Sequence, residues 1–271
     1  MEINKIIQGD ALKILKTLPD ESVDSIITSP PYFSLRDYNV IGQLGLEPTF
    51  QEYISKLCDI FDETKRVLKK GGTCFVNIGD TYYGGGRNKG NKKPHPKGVR
   101  RLGAKSVATP SPEGQDKCLA QIPSRFAIEM VNRDWILRNK IIWHKLNAMP
   151  SSANDRFTVD FEEVFFFVKN KKYLFEAQFE KFRSNDYDRA RMAIAREEHG
   201  GKWAQDAGGA IKTQRAFVAG HKEGRNKRTV WSINTRPFSG AHFATFPEAL
   251  IEPMVLAGCP KKICKSCHKA V

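Results

Sequence analysis

The start of the chain alternates apolar and polar residues in the rhythm of strands and helices. The segment NKIIQGD, which ends in a glycine and an aspartate, predicts a strand followed by a turn. The next segment, ALKILKTLP, predicts a short amphipathic helix, and the apolar run VDSIIT predicts a buried strand. A strand, a helix and a second strand in this order indicate a parallel sheet.

The same alternation continues further along the chain. Apolar side chains recur at helical spacing between Pro48 and Leu68, and KKGG is expected to stop this helix before the strand TCFVNIGD. The later predictions are a helix in PSRFAIEMVNRDW, strands in ILRNKIIWHK and FEEVFFFVKN, and a helix around residues 247–257. The order of elements is therefore that of an α/β domain.

Two polar, basic segments interrupt this pattern. Residues 83–117 are rich in Gly, Pro, Lys and Arg and predict a loop or mobile arm. Polarity rises again from Lys181 to Lys227, which form a second basic insertion within residues 170–235. We therefore expect an α/β domain over residues 1–169 that carries the arm, an insertion over 170–235, and a return to the α/β domain over 236–271.

Composition and charge narrow the class of protein. The 271 residues are 40% hydrophobic, which is enough for a real core. The formal net charge of +14 indicates a polyanionic partner, with nucleic acid ahead of an anionic membrane. Because no apolar run approaches the roughly 20 residues that span a bilayer and no leader precedes residue 10, we expect a cytoplasmic protein without a membrane partner.

A short motif, Ser29-Pro30-Pro31-Tyr32, follows the predicted strand VDSIIT. Two prolines keep the backbone extended, so the serine and the tyrosine are expected to be presented rather than packed. This arrangement suits methylation of an exocyclic amine on a nucleobase. The Ser29 hydroxyl and a backbone carbonyl near Pro30 could accept the amine protons, and Tyr32 could stack on a base flipped out of the duplex, at about 1–3 kcal/mol per stacked base.

The motif resembles the catalytic tetrapeptide of the DNA amino-methyltransferases. Five blocks in order are similar to the permuted (beta) group of this family, in which the catalytic block comes first and the cofactor block last. The blocks are GDALKILKTLPDESVDSIITSPPYFSLRDY, GTCFVNIGDTYY, DWILRNKIIWHKLNAMP, RNKRTVWSINT and AHFATFPEALIEPMVLAGCP.

The resemblance implies a Rossmann-like S-adenosylmethionine-dependent methyltransferase fold with a doubly wound, mostly parallel sheet. It makes residues 1–169 the catalytic domain and 170–235 the target-recognition insertion. Ser29, Pro30, Pro31 and Tyr32 would be the catalytic residues. The residues expected beside S-adenosylmethionine are Asp10, Thr28, Phe246 and Pro247.

The implied activity is site-specific methylation of double-stranded DNA, as part of a restriction–modification system or a phage-type enzyme. A serine in the first motif position is commoner in enzymes that methylate N4 of cytosine, although N6 of adenine stays an alternative. Basic side chains would follow the phosphates, with affinity that falls as salt rises. These DNA-binding candidates are Arg87, Lys89, Lys92, Lys93, Arg100, Arg101, Arg225, Lys227 and Arg228.

One block of the family does not follow LAGCP. This block is a glycine-rich turn of the Asp-Pro-Phe-x-Gly-x-Gly type that cradles the cofactor, so we expect an incomplete C-terminal part. Three explanations stay open: a gene broken by a frameshift, a split enzyme completed by a second polypeptide, or an inactive DNA-binding remnant. The segment CPKKICKSCHKAV resembles the opening of a cysteine-rich insert.

Three single features have competing interpretations. Cys264 and Cys267 have the C-x-x-C spacing of half a zinc site, which Cys259 and His268 could assist. His144 follows an apolar strand, where a structural hydrogen bond is commoner than a catalytic role. Asp80 ends the strand FVNIGD and is predicted either to line a pocket or to cap a helix or turn.

Overall fold

The computed structural model describes residues 4–84, 109–181, 225–238 and 245–264. The chain divides into two compact units, one formed by residues 1–175 and 229–271 and the other by residues 176–228. In chain order the helices and strands are α1 (Ala11–Thr17), β1 (Val23–Thr28), α2 (Phe50–Val67), β2 (Leu68–Ile78), α3 (Ile122–Asn132), β3 (Ile136–His144), β4 (Phe161–Val168), β5 (Phe179–Glu180), β6 (Arg225–Asn226), β7 (Val230–Ser232) and α4 (Glu248–Gly258). Strands β5 and β6 form an antiparallel pair within the second unit.

The first unit contains a five-stranded sheet with the order β1-β2-β4-β3-β7. Strand β1 is parallel to β2, and β3 is parallel to β7, whereas β4 is antiparallel to both of its neighbours. Of the five strands that the described residues contribute to this sheet, four therefore run in one direction. Strand β4 runs the other way because no helix crosses back over the sheet between β3 and β4.

The sheet is covered on both faces by apolar side chains. Helices α2 and α3 bury Phe61 and Phe126 in a first cluster, and α4 buries Leu250 in a second. Phe165 of β4 belongs to the first cluster and Phe166 to the second, because successive residues of a strand face opposite sides. The result is the helix–sheet–helix arrangement of a doubly wound fold.

The sheet edge at β1 differs from the sequence prediction. The segment NKIIQGD, predicted as a strand, has no regular structure over residues 4–10, and the side chain of Ile6 is fully exposed. Strand β1 itself is half-buried rather than buried, and α1 buries none of its residues. Within the described part of the chain β1 pairs only with β2, so apolar side chains at this edge have no strand to cover them.

The junction between α2 and β2 also differs from the prediction. Helix α2 ends at Val67, and the segment KKGG, predicted to stop the helix, already belongs to β2. The two elements therefore join without a loop. None of the helices in the described ranges is long and apolar enough to cross a membrane.

Candidate functional site

The motif Ser29-Pro30-Pro31-Tyr32 leaves the sheet directly after the last residue of β1. Thr28 pairs with Val76 of the parallel strand β2, so the motif lies at the carboxyl edge of two parallel strands. In open α/β sheets, ligands bind outside this edge. The chain thus places the predicted catalytic residues where the fold opens a site.

The two proline carbonyls of the motif differ in their contacts. The hydroxyl of Tyr53, which is completely buried on α2, donates a hydrogen bond of 2.8 Å to the carbonyl of Pro31. Among the described residues, no hydrogen bond reaches the carbonyl of Pro30. The Pro31 carbonyl therefore fixes the backbone, and the Pro30 carbonyl is available as the acceptor that the sequence predicts.

Removing the Tyr53 hydroxyl should weaken this fixation. We expect Tyr53→Phe to lower the free energy of unfolding by about 1–2 kcal/mol, because the half-buried Pro31 carbonyl loses its donor. Urea unfolding followed by circular dichroism measures the change.

Tyr82→Phe is the matched control. The Tyr82 ring is half-buried against the guanidinium of Arg156, and no hydrogen bond of its hydroxyl occurs among the described residues. A change below about 0.5 kcal/mol is expected for it. Equal losses for the two variants would contradict the role given to Tyr53.

The side chain of Tyr32 is packed inward, whereas the sequence predicts that it is exposed at the surface. Its ring is half-buried against the first apolar cluster and lies over the backbone of Gly79. A Cβ atom at Gly79 would be only 2.5 Å from Cε2 of the Tyr32 ring. The absence of a side chain at position 79 therefore permits this inward position, and the prediction that Tyr32 is presented rather than packed is wrong.

A chain of hydrogen bonds connects Ser29 to a carboxylate. The Ser29 hydroxyl donates to the Tyr32 hydroxyl over 3.3 Å, and the Tyr32 hydroxyl donates to Oε2 of Glu162 over 2.6 Å. The ammonium group of Lys145 binds the other carboxylate oxygen, Oε1. Burial, followed by the nearby Glu162 charge, raises the pKa of Tyr32 well above its ordinary value, so its hydroxyl stays protonated.

Sequence reasoning missed Glu162, Lys145 and Asn77, whose side-chain oxygen lies 3.2 Å from the Tyr32 hydroxyl. A signal for two of them is visible in the sequence. Glu162 is one of two charged residues near the start of the otherwise apolar strand FEEVFFFV, and Asn77 interrupts the apolar run CFVNI. Polar residues in buried strands need partners, and such partners often belong to a site.

Two further candidates have structural roles. One carboxylate oxygen of Asp80 accepts hydrogen bonds from the backbone amides of Thr81 and Ile122, so it binds the first residue of α3 as a cap, the second of the two predicted roles. Burial raises the pKa of Asp80. His144 lies 3.1 Å from the Ser232 hydroxyl on the neighbouring strand β7, which agrees with a structural hydrogen bond.

The predicted cofactor residues occupy two places. Phe246 packs against the second apolar cluster, as does Ile27, the residue before Thr28, and Pro247 caps the start of α4. The start of α4 therefore lies on the face of the sheet that Ile27 covers, whereas the side chain of Thr28, the next residue of the strand, points to the opposite face. Asp10 instead accepts a hydrogen bond of 3.0 Å from the Lys13 amide as the cap of α1, and no hydrogen bond or ion pair among the described residues joins it to the other three.

Most of the predicted DNA-binding residues lie outside the described part of the chain. These are Arg87, Lys89, Lys92, Lys93, Arg100 and Arg101. In the second unit, Arg225 forms an ion pair of 2.8 Å with Glu180, and the Nε atom of Arg228 lies 3.9 Å from the same carboxylate. The Lys227 amide donates to the Gln178 carbonyl.

The proposed zinc ligands are only partly visible. Cys264 is half-buried, while Cys267 and His268 lie outside the described residues. Among the residues that the structure describes, no group of three or more His, Cys, Asp or Glu side chains could hold a metal ion. The described residues therefore give the zinc prediction no support.

Comparison with known proteins gives consistent matches. A family model for N6 and N4 methyltransferases, described as DNA methylase, matches residues 23–263. The Type II methyltransferase M.Cfr9I of Citrobacter freundii is 41% identical over 260 residues, which cover 95% of this chain and 74% of the relative. The Type II methyltransferase M.SmaI of Serratia marcescens is 38% identical over 255 residues, which cover 94% of this chain and 75% of the relative.

A solved structure agrees with the fold. The PvuII DNA methyltransferase (cytosine-N4-specific) has a TM-score of 0.55 to this chain at 17% identity, covering 94% of this chain and 70% of that one. The likeness confirms the predicted Rossmann-like methyltransferase fold.

Proposed function

Because this chain belongs to the N6/N4 DNA methylase family, we propose that it transfers a methyl group from S-adenosylmethionine to the exocyclic N4 of cytosine at a specific DNA sequence. The observation that carries the proposal is the pair of acceptors at the carboxyl edge of β1: the Ser29 hydroxyl and the Pro30 carbonyl. Both belong to the motif on which the resemblance to amino-methyltransferases rests.

These two acceptors suit the chemistry of an exocyclic amine. The lone pair of such an amine is delocalised into the ring, so the nitrogen is a weak nucleophile. Two acceptors on its protons can turn the lone pair toward the methyl donor, and holding reactants in the right geometry is itself a large part of catalysis. A serine in the first motif position favours cytosine, and the cytosine-N4-specific name of the PvuII enzyme supports this choice.

The methyl donor would lie on the face of the sheet where β1 ends and α4 begins. S-adenosylmethionine would supply a methyl group on a sulfonium, which is a good leaving group. Phe246 and Pro247 fit this position, since Phe246 packs against the same apolar cluster as Ile27 of β1, and Thr28 is proposed to contact the donor at the carboxyl end of the strand. Asp10 is proposed to approach the adenosine with the carboxylate oxygen that does not cap α1.

We also propose the permuted order of blocks, with the glycine-rich cofactor turn supplied by residues that this sequence does not contain. The sheet edge supports this proposal. Strand β1 has a partner on one side only among the described residues, α1 buries no side chain, and Ile6 and Ile7 are 100% and 53% exposed. A further strand beside β1, from the same polypeptide or a second one, would cover these apolar groups.

Target recognition is assigned to the insertion and the arm. The separate unit Glu176–Arg228 lies within the range 170–235 that the sequence marks as an insertion. We propose that this unit reads the DNA sequence and that the basic residues of the arm and the insertion bind phosphates. The formal net charge of +14 supports contacts of this kind.

The test is to identify the modified base. The gene, with the DNA that follows its last codon retained, is expressed in a bacterial host without DNA methylation, and the genomic DNA is digested to nucleosides for mass spectrometry. We expect N4-methylcytosine, and single-molecule sequencing should place it in one short sequence. Ser29→Ala is the matched control and should leave the DNA unmodified.

Two results would contradict the proposal. N6-methyladenine in place of N4-methylcytosine would overturn the base assignment. DNA without either base would overturn the activity and favour a DNA-binding remnant.

A further inference from the structure

We propose that Glu162 is part of this active site, as the end of a hydrogen-bond chain that orients the Ser29 hydroxyl and receives the proton that the target amine loses. The inference rests on the methyl transfer proposed above. Neither the motif nor the family likeness points to Glu162, which lies on β4, 130 residues after Tyr32.

The direction of the chain follows from the number of protons available. An ionised carboxylate can only accept hydrogen bonds, and Tyr32 has a single hydroxyl proton. The distance from this hydroxyl is 2.6 Å to Glu162 but 3.2 Å to the side-chain oxygen of Asn77. The shorter, charge-assisted bond is the stronger one, so Tyr32 donates to Glu162.

The orientation of Ser29 follows from that of Tyr32. Because the Tyr32 proton points at Glu162, the Tyr32 oxygen can only accept from Ser29, at 3.3 Å. The Ser29 proton therefore points away from the target base, and its oxygen lone pairs are left for the amine protons. A hydroxyl that donates within such a chain is also a better acceptor, because chained hydrogen bonds polarise one another.

Lys145 stabilises the charge at the end of the chain. Its ammonium group pairs with Glu162, and the two side chains are only 20% and 18% exposed. The ammonium also lies 4.6 Å from the centre of the Trp143 ring. Among the described residues, Lys145 and Tyr32 are the titratable groups whose side chains bind the Glu162 carboxylate.

The chain accounts for the proton in the reaction. The target nitrogen forms a bond to the methyl carbon as the carbon–sulfur bond breaks, and the electron pair of that bond stays on sulfur. The nitrogen then loses one proton to Ser29, Ser29 passes its own proton to Tyr32, and Tyr32 passes its own to Glu162. Glu162 ends neutral and releases the proton to water between turnovers. A serine hydroxyl alone is too weak a base for this step, whereas a carboxylate can hold the proton.

The first test compares two neighbouring carboxylates on β4. Glu162→Gln should lower kcat by about 10²-fold or more, with the KM for DNA within about threefold of the wild type, because general base catalysis contributes about 10²–10⁴-fold. Glu163→Gln is the matched control. The Glu163 carboxylate pairs with Lys140 at 2.8 Å instead, so this variant should keep the wild-type kcat.

A double-mutant cycle tests whether the groups act as one chain. Tyr32→Phe keeps the ring but interrupts the chain, so Tyr32→Phe, Glu162→Gln and the double variant should all have nearly the same kcat. Multiplied effects in the double variant would show that the two side chains act independently.

A binding measurement without methyl donor separates orientation from turnover. The probes are duplexes of the identified site with either cytosine or pyrimidin-2-one, which lacks the amine, at the target position. In Glu162→Gln the new amide can donate to Tyr32, which then donates to Ser29 and turns the Ser29 proton toward the amine. The Kd for the cytosine duplex should therefore rise relative to the Kd for the pyrimidin-2-one duplex. An unchanged ratio together with an unchanged kcat would overturn the inference, whereas a wild-type protein that methylates no DNA would overturn the proposed function instead.

Discussion

Gly79→Ala is expected to lower the rate of methyl transfer by about 10²-fold, because misplacement of a reacting group by about 1 Å can cost that much. The new Cβ atom would lie 2.5 Å from Cε2 and 2.9 Å from Cδ2 of the Tyr32 ring. The ring must therefore move away from Gly79, and its hydroxyl must leave the position from which it contacts both Ser29 and Glu162. The effect is measured as the rate of methyl transfer to DNA, and the free energy of unfolding is measured on the same variant.

Gly71→Ala provides the control for Gly79→Ala. Gly71 lies on β2, which ends directly before Gly79, and a Cβ atom there would approach nothing closer than 3.7 Å, an ordinary contact. Its transfer rate should equal that of the wild type. If Gly79→Ala also transfers at the wild-type rate, Tyr32 can shift without loss and its inward position has no catalytic meaning.

Local patterns predicted most elements of the fold. The apolar run of β1 and the helical spacing within α2 give the bounds of these elements to within about two residues, since each depends only on neighbouring side chains. The direction of β4 could not be predicted in the same way. Its run VFFFV, which follows Glu162 and Glu163, is apolar on both faces, and such a run fits a parallel or an antiparallel central strand equally well.

In the candidate site, too, the features set by neighbouring residues were predictable and those set by distant residues were not. Ser29-Pro30-Pro31-Tyr32 is a local motif after a strand, so its position at the sheet edge was predictable. The inward position of Tyr32 was not, because it depends on the missing side chain of Gly79 and on Glu162, which is distant in sequence. Likewise, the strand predicted at NKIIQGD needs a neighbouring strand, which local apolar spacing cannot supply.

The largest loss of stability is expected from Phe126→Ala on α3. Phe126 is completely buried, and its ring centre lies 5.3 Å from that of Phe61 and 6.0 Å from that of Phe167, so it joins α2 and α3 to the sheet. We expect the free energy of unfolding to fall by about 3–5 kcal/mol, because the cavity closes only in part. Urea unfolding followed by circular dichroism measures the loss.

Ile128→Ala on the same helix is the control for Phe126→Ala. Ile128 is 62% exposed, so its truncation should change the free energy of unfolding by less than about 0.5 kcal/mol. Similar losses for both variants would mean that α3 is not packed on the sheet as described. Tyr32 packs against the cluster that contains Phe126, so Phe126→Ala should also lower methyl transfer under conditions in which the protein is still folded. Ile128→Ala should not, because the position of Tyr32 depends on the packing beneath it and not on the outer face of the helix.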